Sequence, residues 1–165
     1  MKRKNWMGRY RSLINELVKY ENSYARIASS RRLQMDDIFM SSMEWQVLEY
    51  IIVHEDEDSY MLTISDDLGI APSSLSKQVK SLLNNDLIER FHTTTDKKKV
   101  IIKATAKGKE IYSKNVDALM EPLFDVLFHD LDSIPDKYIE QFTKALTNYN
   151  NVRQHHSSNE LVKIP

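Results

Sequence analysis

Residues 62–109 constrain the fold more than any other stretch of this 165-residue chain. Two apolar patterns of helical spacing flank a short turn, and two β-branched runs joined by a lysine-rich loop follow at once. Ile64 and Leu68 lie i,i+4 apart, on one face of a first helix. Gly69 stands where that helix must end and the backbone turns through positive φ, a conformation glycine adopts without a steric penalty. Ile70 returns to the core. Pro72 can open a second helix, because its missing N–H would be unpaired in a first turn anyway. Ser65, four residues before Gly69, supplies a small side chain where the two helices must approach. A chain built around this segment is mainly α with one small β-hairpin.

The second helix, predicted over Pro72–Asn84, has two unlike faces. Leu75, Val79 and Leu82, with Leu83, form an apolar stripe. Ser73, Ser74, Ser76, Lys77, Lys80, Ser81 and Asn84 cover the remainder, and no acidic residue occurs from Pro72 to Asn85. Short hydroxyls, lysines and no carboxylate are what a helix in a DNA major groove requires, since it must reach phosphates and base edges without repelling the backbone. An ordinary solvated amphipathic helix would also fit this stretch alone. Asn84-Asn85-Asp86 is a turn cluster. Leu87–His92 then alternates as a strand, with Leu87, Glu89–Arg90 and Phe91 distributed over its two faces. Thr93–Lys99 holds three threonines, Asp96 and three consecutive lysines, and Val100–Lys103 returns as the second strand. A lysine run is usually a solvated loop. Its place one strand after a carboxylate-free helix favours the pair as a helix-turn-helix with a cationic wing.

These residues resemble the MarR family of winged helix-turn-helix transcriptional regulators. ISDDLGIAPSSLSKQVKSL is similar to the family's L-A-x-x-L-G-V-x-x-S-T-V-S-R-x-V-x-x-L, NNDLIER to K-G-L-I-x-R, and DKKKVIIKATAKGKEIY to D-x-R-x-x-x-x-x-L-T-x-x-G-x-x-x, with the match strongest over residues 44–112. The resemblance implies Ser73, Ser74, Ser76, Lys77 and Lys80 at the major groove. It implies Thr94, Thr95, Lys97, Lys98 and Lys99 on the wing, contacting phosphate or minor groove. Three departures stand out. Lys98 replaces the usual wing arginine, keeping the charge and losing the bidentate fork. Ala104 replaces a leucine before Thr105 and trims core contact. Asp86 replaces a glycine and must itself adopt the left-handed conformation.

The formal net charge of −1 gives no reason to expect nucleic acid, but its distribution does. Residues 1–35 sum to +7, 36–60 to −8, 61–110 to +3 and 111–165 to −3. The local field governs attraction to phosphate, and the winged segment is positive. The absence of cysteine excludes a disulfide framework and a thiol switch. No apolar run is long enough to span a membrane, and the basic start MKRKNWMGRYRS lacks the apolar region of a signal peptide, so a cytoplasmic location is expected.

The flanks read as helices. Arg9–Leu33 carries Leu13, Leu17, Tyr20 and Tyr24 along one face, with Ile14 and Ile27 beside it. Met43–Val53 is a core helix capped by Ser41 or Ser42, with Trp45, Leu48, Ile51 and Ile52 inward. Residues 54–59, HEDEDS, form a solvated acidic loop. Thr105 caps a long helix to about Phe128, carrying Ile111, Val116, Leu119, Leu123, Val126 and Leu127, which Pro122 should kink or split. Pro135 opens a last helix to about Asn150, with Tyr138, Ile139, Phe142, Leu146 and Tyr149. The chain is thus expected to be one domain over 1–165. It would comprise a winged module at 36–104, helical dimerisation regions at 5–35 and 105–152, and a mobile tail at 153–165.

Those outer helices could bury their stripes within the chain. The resemblance implies instead that they interdigitate with a second copy. A homodimer of this kind presents two recognition helices to double-stranded DNA, one helical turn apart, on a pseudo-palindromic operator. Members of the family bind small molecules between the dimer helices and the winged module, which makes Trp6, Tyr10, Tyr20, Tyr24, Phe39 and Trp45 the candidate lining for a small-molecule effector, although aromatic residues at helical spacing usually serve the core. The nearest approach to a metal-ligand set is His129 with Asp130 and Asp132. No helical histidine pair or cysteine supports it, and neither metal nor cofactor is expected. A glycine-rich phosphate loop and a nucleophile elbow are both missing from the sequence, which does not read as an enzyme. The expectation is a sequence-specific regulator, acting as a repressor. A winged-helix protein of replication or partition, or a protein-interaction module, stays open as the alternative. The latter would more naturally carry exposed apolar residues on the second helix.

Overall fold

The computed structural model describes residues 6–30, 32–35, 37–57, 59–92 and 100–157, with side chains over 6–26, 37–57, 59–92 and 100–152. The elements in order are α1 (Arg11–Ser30), β1 (Arg32–Met35), β2 (Ile38–Ser41), α2 (Ser42–Val53), α3 (Met61–Asp67), α4 (Pro72–Asn84), β3 (Ile88–His92), β4 (Val100–Ala104), α5 (Ala106–Asn115), α6 (Glu121–Leu131) and α7 (Asp136–Ser157). A 3-10 turn at Gly8–Tyr10 precedes α1, and a π-helical turn at Val116–Met120 joins α5 to α6. The chain divides into two compact units, Met1–Tyr112 and Ser113–Pro165.

In the first unit α2 is the central helix, packing on α4, α3, β2 and β4. Its start is a capping box. The Glu44 N–H donates to Ser41 Oγ (3.2 Å), and the Ser41 N–H donates to Glu44 Oε2 (2.5 Å), which satisfies two amides the helix cannot serve internally. Trp45, Val47, Leu48, Tyr50 and Ile51 are buried around it, while Ile52, expected inward, is only half-buried. They meet Ile64 of α3, Leu75, Val79 and Leu82 of α4, and Leu87, Ile88, Ile101, Ile102 and Ile111. Burying this set removes apolar surface from water at roughly 25 cal/mol per Å2, the dominant stabilising term.

The turn between α3 and α4 forms as its residues dictate. Gly69 has φ +63°. Ser65 is buried and holds the turn from both sides: its Oγ donates to the Ile70 carbonyl (2.7 Å) and its own carbonyl accepts from the Ile70 N–H (3.0 Å). After α4, Asp86 takes φ +57°, the left-handed position anticipated for it. The wing stem pairs antiparallel from Ile88↔Ala104 to His92↔Val100, and Tyr60 bridges to Ile101 on the other side of β4. Only the base of β3 is buried. Phe91 is exposed because the strand leaves the core after Ile88.

Gly108 fixes the seam between α5 and the end of α4. A Cβ there would lie 2.1 Å from the Leu87 carbonyl oxygen, which also accepts from the Thr105 N–H (3.0 Å). Thr105 caps α5 as expected, its Oγ1 accepting from the Gly108 N–H (2.9 Å) and donating to the Asp86 carbonyl (2.7 Å).

Three expectations are corrected. The first helix ends at Ser30 rather than Leu33, and a hairpin, β1 with β2 in register Arg32↔Ser41 to Met35↔Ile38, follows it. Ile38 and Met40 are buried and Phe39 is exposed, the alternation of a half-buried strand. The long helix is split at Pro122, as that proline predicts: in the π turn the Glu121 N–H donates to the Val116 carbonyl, and Pro122 falls in the first turn of a new helix, where its missing N–H costs least. That new helix runs to Leu131 rather than Phe128, and the last helix runs to Ser157 rather than Asn150. Residues 158–165 lie outside the described residues.

In the second unit α6 packs on the π turn. Leu123, Val126, Leu127 and Phe128 of α6 and Tyr138, Phe142, Tyr149 and Val152 of α7 are exposed. So are Leu13, Val18 and Tyr20 of α1 in the first unit.

Candidate nucleic-acid interface

The outward face of α4 is built by the same spacing that buries Leu75, Val79 and Leu82. Ser73, Ser76, Lys77 and Lys80 are exposed, and Ser74 is half-buried beside them. The N-cap is Ala71, which has no side-chain acceptor for the first amides of the helix. Pro72 has no N–H and the Ser74 N–H donates to the Ala71 carbonyl (2.9 Å), which leaves the Ser73 N–H and the positive end of the helix dipole for an anion such as a phosphate. The far end is closed. Asn85 Nδ2 donates to the Ser81 carbonyl (3.0 Å), and Lys107 Nζ donates to the Asn85 carbonyl (2.9 Å), placing a cation at the negative end of the dipole.

Among the five major-groove candidates the structure distinguishes one. Ser76 Oγ donates to the Pro72 carbonyl (2.9 Å), so its proton is committed to the helix and it faces outward only as an acceptor. Lys77 and Lys80 have no ion-pair or hydrogen-bond partner among the described residues. The wing candidates Thr94, Thr95, Lys97, Lys98 and Lys99 lie outside the described residues. The stem that carries them leaves the core in the register given above, so the loop springs from His92 and Val100.

In the acidic loop after α2, Glu55, Asp56 and Glu57 are exposed, as expected, but Ser59 is buried, and the loop is also tethered. Lys103 of β4 donates from Nζ to the carbonyls of Glu55 (2.6 Å) and Glu57 (2.7 Å), and Lys109 of α5 pairs with the Glu55 carboxylate. Lysines of the wing strand and of α5 thus hold a loop that would otherwise be free to approach and repel a polyanion. Lys103 and Lys109 were no part of the sequence expectation; a lysine's partner 46 to 54 residues away is not legible in a linear pattern.

A second polar contact locks α3 to α2. Tyr50 donates its hydroxyl to Asp67 Oδ2 (2.5 Å), and His54 stacks on the Tyr50 ring at 4.1 Å while donating from Nδ1 to the Tyr50 carbonyl (2.9 Å). Burial, followed by the hydrogen bond to Asp67, pushes the Tyr50 hydroxyl up to about 12. Asp67 ends the helix that precedes the turn, so this contact fixes the angle at which α4 is presented.

Within one chain the six aromatic residues expected to line an effector pocket are brought together only in part. Trp45 is buried and stacks on Tyr112 at 5.1 Å. Trp6, Tyr10, Tyr20 and Phe39 are exposed, and Tyr24 stacks on Tyr20 while its hydroxyl accepts from Gln46 Nε2 (2.7 Å). A cavity of about 300 Å3 lies elsewhere in the first unit, lined by Asp37, Ile38, Lys107, Glu110 and Ile111. Among the described residues no group of three His, Asp or Glu side chains could hold a metal ion, His129, Asp130 and Asp132 included. No helix among them is long and apolar enough to cross a membrane.

Residues 40–108 match the family of winged helix DNA-binding domains. No curated protein sequence matches the chain. Solved structures share the fold over most of its length. A mutant MarR from E. coli, complexed with operator DNA, superposes with a TM-score of 0.61 at 17% identity, covering 88% of this chain and 99% of that one. The transcriptional regulator BldR from Sulfolobus solfataricus gives 0.64 at 19% identity, covering 90% and 99%. The zinc-responsive MarR family member ZitR from Lactococcus lactis gives 0.55 at 23% identity, covering 83% and 98%.

Proposed function

From a chain that carries a winged helix DNA-binding domain within the fold of the MarR-family transcriptional regulators, we infer a homodimeric, sequence-specific regulator that binds a pseudo-palindromic operator and acts as a repressor. One observation carries most of this. The exposed face of α4 holds serines, two lysines unpaired among the described residues, no carboxylate and an uncapped N-terminus, one strand away from a lysine-rich wing. Ser73, Ser74, Lys77 and Lys80, with Ser76 as an acceptor, serve the major groove. Thr94, Thr95, Lys97, Lys98 and Lys99 serve phosphate or minor groove beside it.

The apolar residues left exposed on α1, α6 and α7 support dimerisation. Leu123 is 64% exposed and Val126 72%, and a single chain gains nothing by presenting such a stripe to water. A two-fold dimer covers it and doubles the phosphate contacts, which raises affinity and steepens its salt dependence. A dimer occupying an operator excludes other proteins from the same DNA, hence repression as the expected sign. The solved relatives include a zinc-responsive one, which supports control of this chain by a small-molecule effector of its own.

Selection of binding sites from random duplex DNA, with purified protein at physiological salt, tests the proposal. A pseudo-palindrome with half-sites one turn apart is the expected product. Recovery of weak, salt-sensitive binding without any motif would reject sequence-specific regulation in favour of a nonspecific DNA binder or a protein-interaction module.

A further inference from the structure

We propose that Gln78 is a specificity-determining residue that reads an adenine in each operator half-site; the inference rests on the operator-binding function proposed above and adds to it the identity of one base. Gln78 lies on α4 one turn after Ser74, and like Ser74 it is half-buried at the edge of the exposed face that holds Ser73 and Lys77. Among the described residues its amide has no hydrogen-bond partner.

The chemistry of the neighbouring side chains leaves the discrimination to it. Serine hydroxyls donate or accept as required and so accept most base edges. Ser76 has in addition given its proton to the Pro72 carbonyl. Lys77 and Lys80 are donors only, suited to the acceptor pair of guanine or to phosphate. Asn85 has committed its Nδ2 to the Ser81 carbonyl. Asn84 is exposed but lies at the C-terminal end of the helix, away from the N-terminal turns that enter a groove. Within the first two turns of α4, Gln78 alone offers a donor and an acceptor in one plane. That pattern complements the N6 donor and N7 acceptor of adenine, the one base that carries both on its own major-groove edge.

The site selection is repeated with the full chain carrying Gln78→Ala and with the full chain carrying Gln78→Glu. The wild-type motif should hold an A·T pair in each half-site at one position. In Gln78→Ala that position alone should relax to all four pairs, and affinity for the best wild-type site should fall about tenfold, with the salt slope unchanged. In Gln78→Glu the same position should switch from adenine to cytosine, because a carboxylate accepts from the cytosine N4 amine and cannot donate to adenine N7. A switch of preference cannot come from loss of folding. Variant motifs identical to wild type at every position would overturn the assignment while leaving the operator function standing. So would an equal loss on all duplexes, which marks a phosphate or packing role. If the wild-type protein itself yields no motif, operator binding fails and this assignment falls with it.

Discussion

Lys77 and Lys98 carry the same charge and are assigned different work. Lys77 leaves the exposed face of α4 beside the helix N-terminus, whereas Lys98 belongs to the wing loop that springs from His92 and Val100. Lys77→Ala should lose about tenfold or more on the specific site and little on random duplex. Lys98→Ala should weaken binding to every duplex alike and flatten the dependence of log K on log salt by about one unit for each phosphate that the lysine neutralises. Titrations of both variants on specific and random duplex at several salt concentrations check this, and equal sequence-blind losses in the two would reject the division. Tyr50 is a residue whose importance no local pattern reveals. Its hydroxyl is raised to about 12 by burial and by its bond to Asp67. A raised folded value means the neutral phenol is favoured in the folded chain. That stabilising contribution is complete below pH 10 and disappears as pH climbs toward 12. Urea unfolding midpoints should therefore fall between pH 10 and 12 in the wild type and fall less in Tyr50→Phe. Parallel pH profiles would show that the Tyr50–Asp67 bond does not hold α3 to α2.

At the scale of elements, the parts legible in the sequence are those whose cause is local. Gly69, Ser65 and Pro72 specify the turn before α4, Ser41 or Ser42 marks a cap that forms at Ser41, and Leu75, Val79 and Leu82 specify a buried face. Each acts within a few residues of itself. The hairpin β1–β2 is not legible, because Ile38, Phe39 and Met40 make an alternating run too short to stand out from the helix before it. The tethered acidic loop depends on Lys103 and Lys109, far away in sequence, and the split of the long helix is legible as Pro122 but not its resolution as a π turn. Gly108 joins local and distant causes. Its place in the family motif is visible, and its reason is the Leu87 carbonyl against which an added Cβ would press at 2.1 Å. A clash with backbone cannot be relieved by a rotamer change. Gly108→Ala should cost about 3 kcal/mol, read as a shift in the urea midpoint at constant slope; a midpoint within error of wild type would mean that α5 is free to move off Leu87.

At the scale of the whole molecule, the arrangement of charge and apolar surface reflects two tasks. The winged segment is positive, +3 over residues 61–110, as are residues 1–35 at +7, while the −8 stretch at 36–60 contains the loop held by Lys103 and Lys109. The apolar surface left open on α1, α6 and α7 then supplies what a second copy would cover. If two copies hold their α4 helices in fixed register, affinity must depend on how the two half-sites face each other around the duplex. The most direct measurement is equilibrium affinity for a series of duplexes in which the spacing between the selected half-sites is lengthened one base pair at a time, through a full helical turn. A rigid two-fold dimer predicts tight binding at the native spacing and a loss of about a hundredfold or more when about five added base pairs turn the half-sites to opposite faces of a helix that repeats every ~10.5 base pairs. Affinity that stays level across the whole series would contradict it, and would mean that each winged module binds on its own.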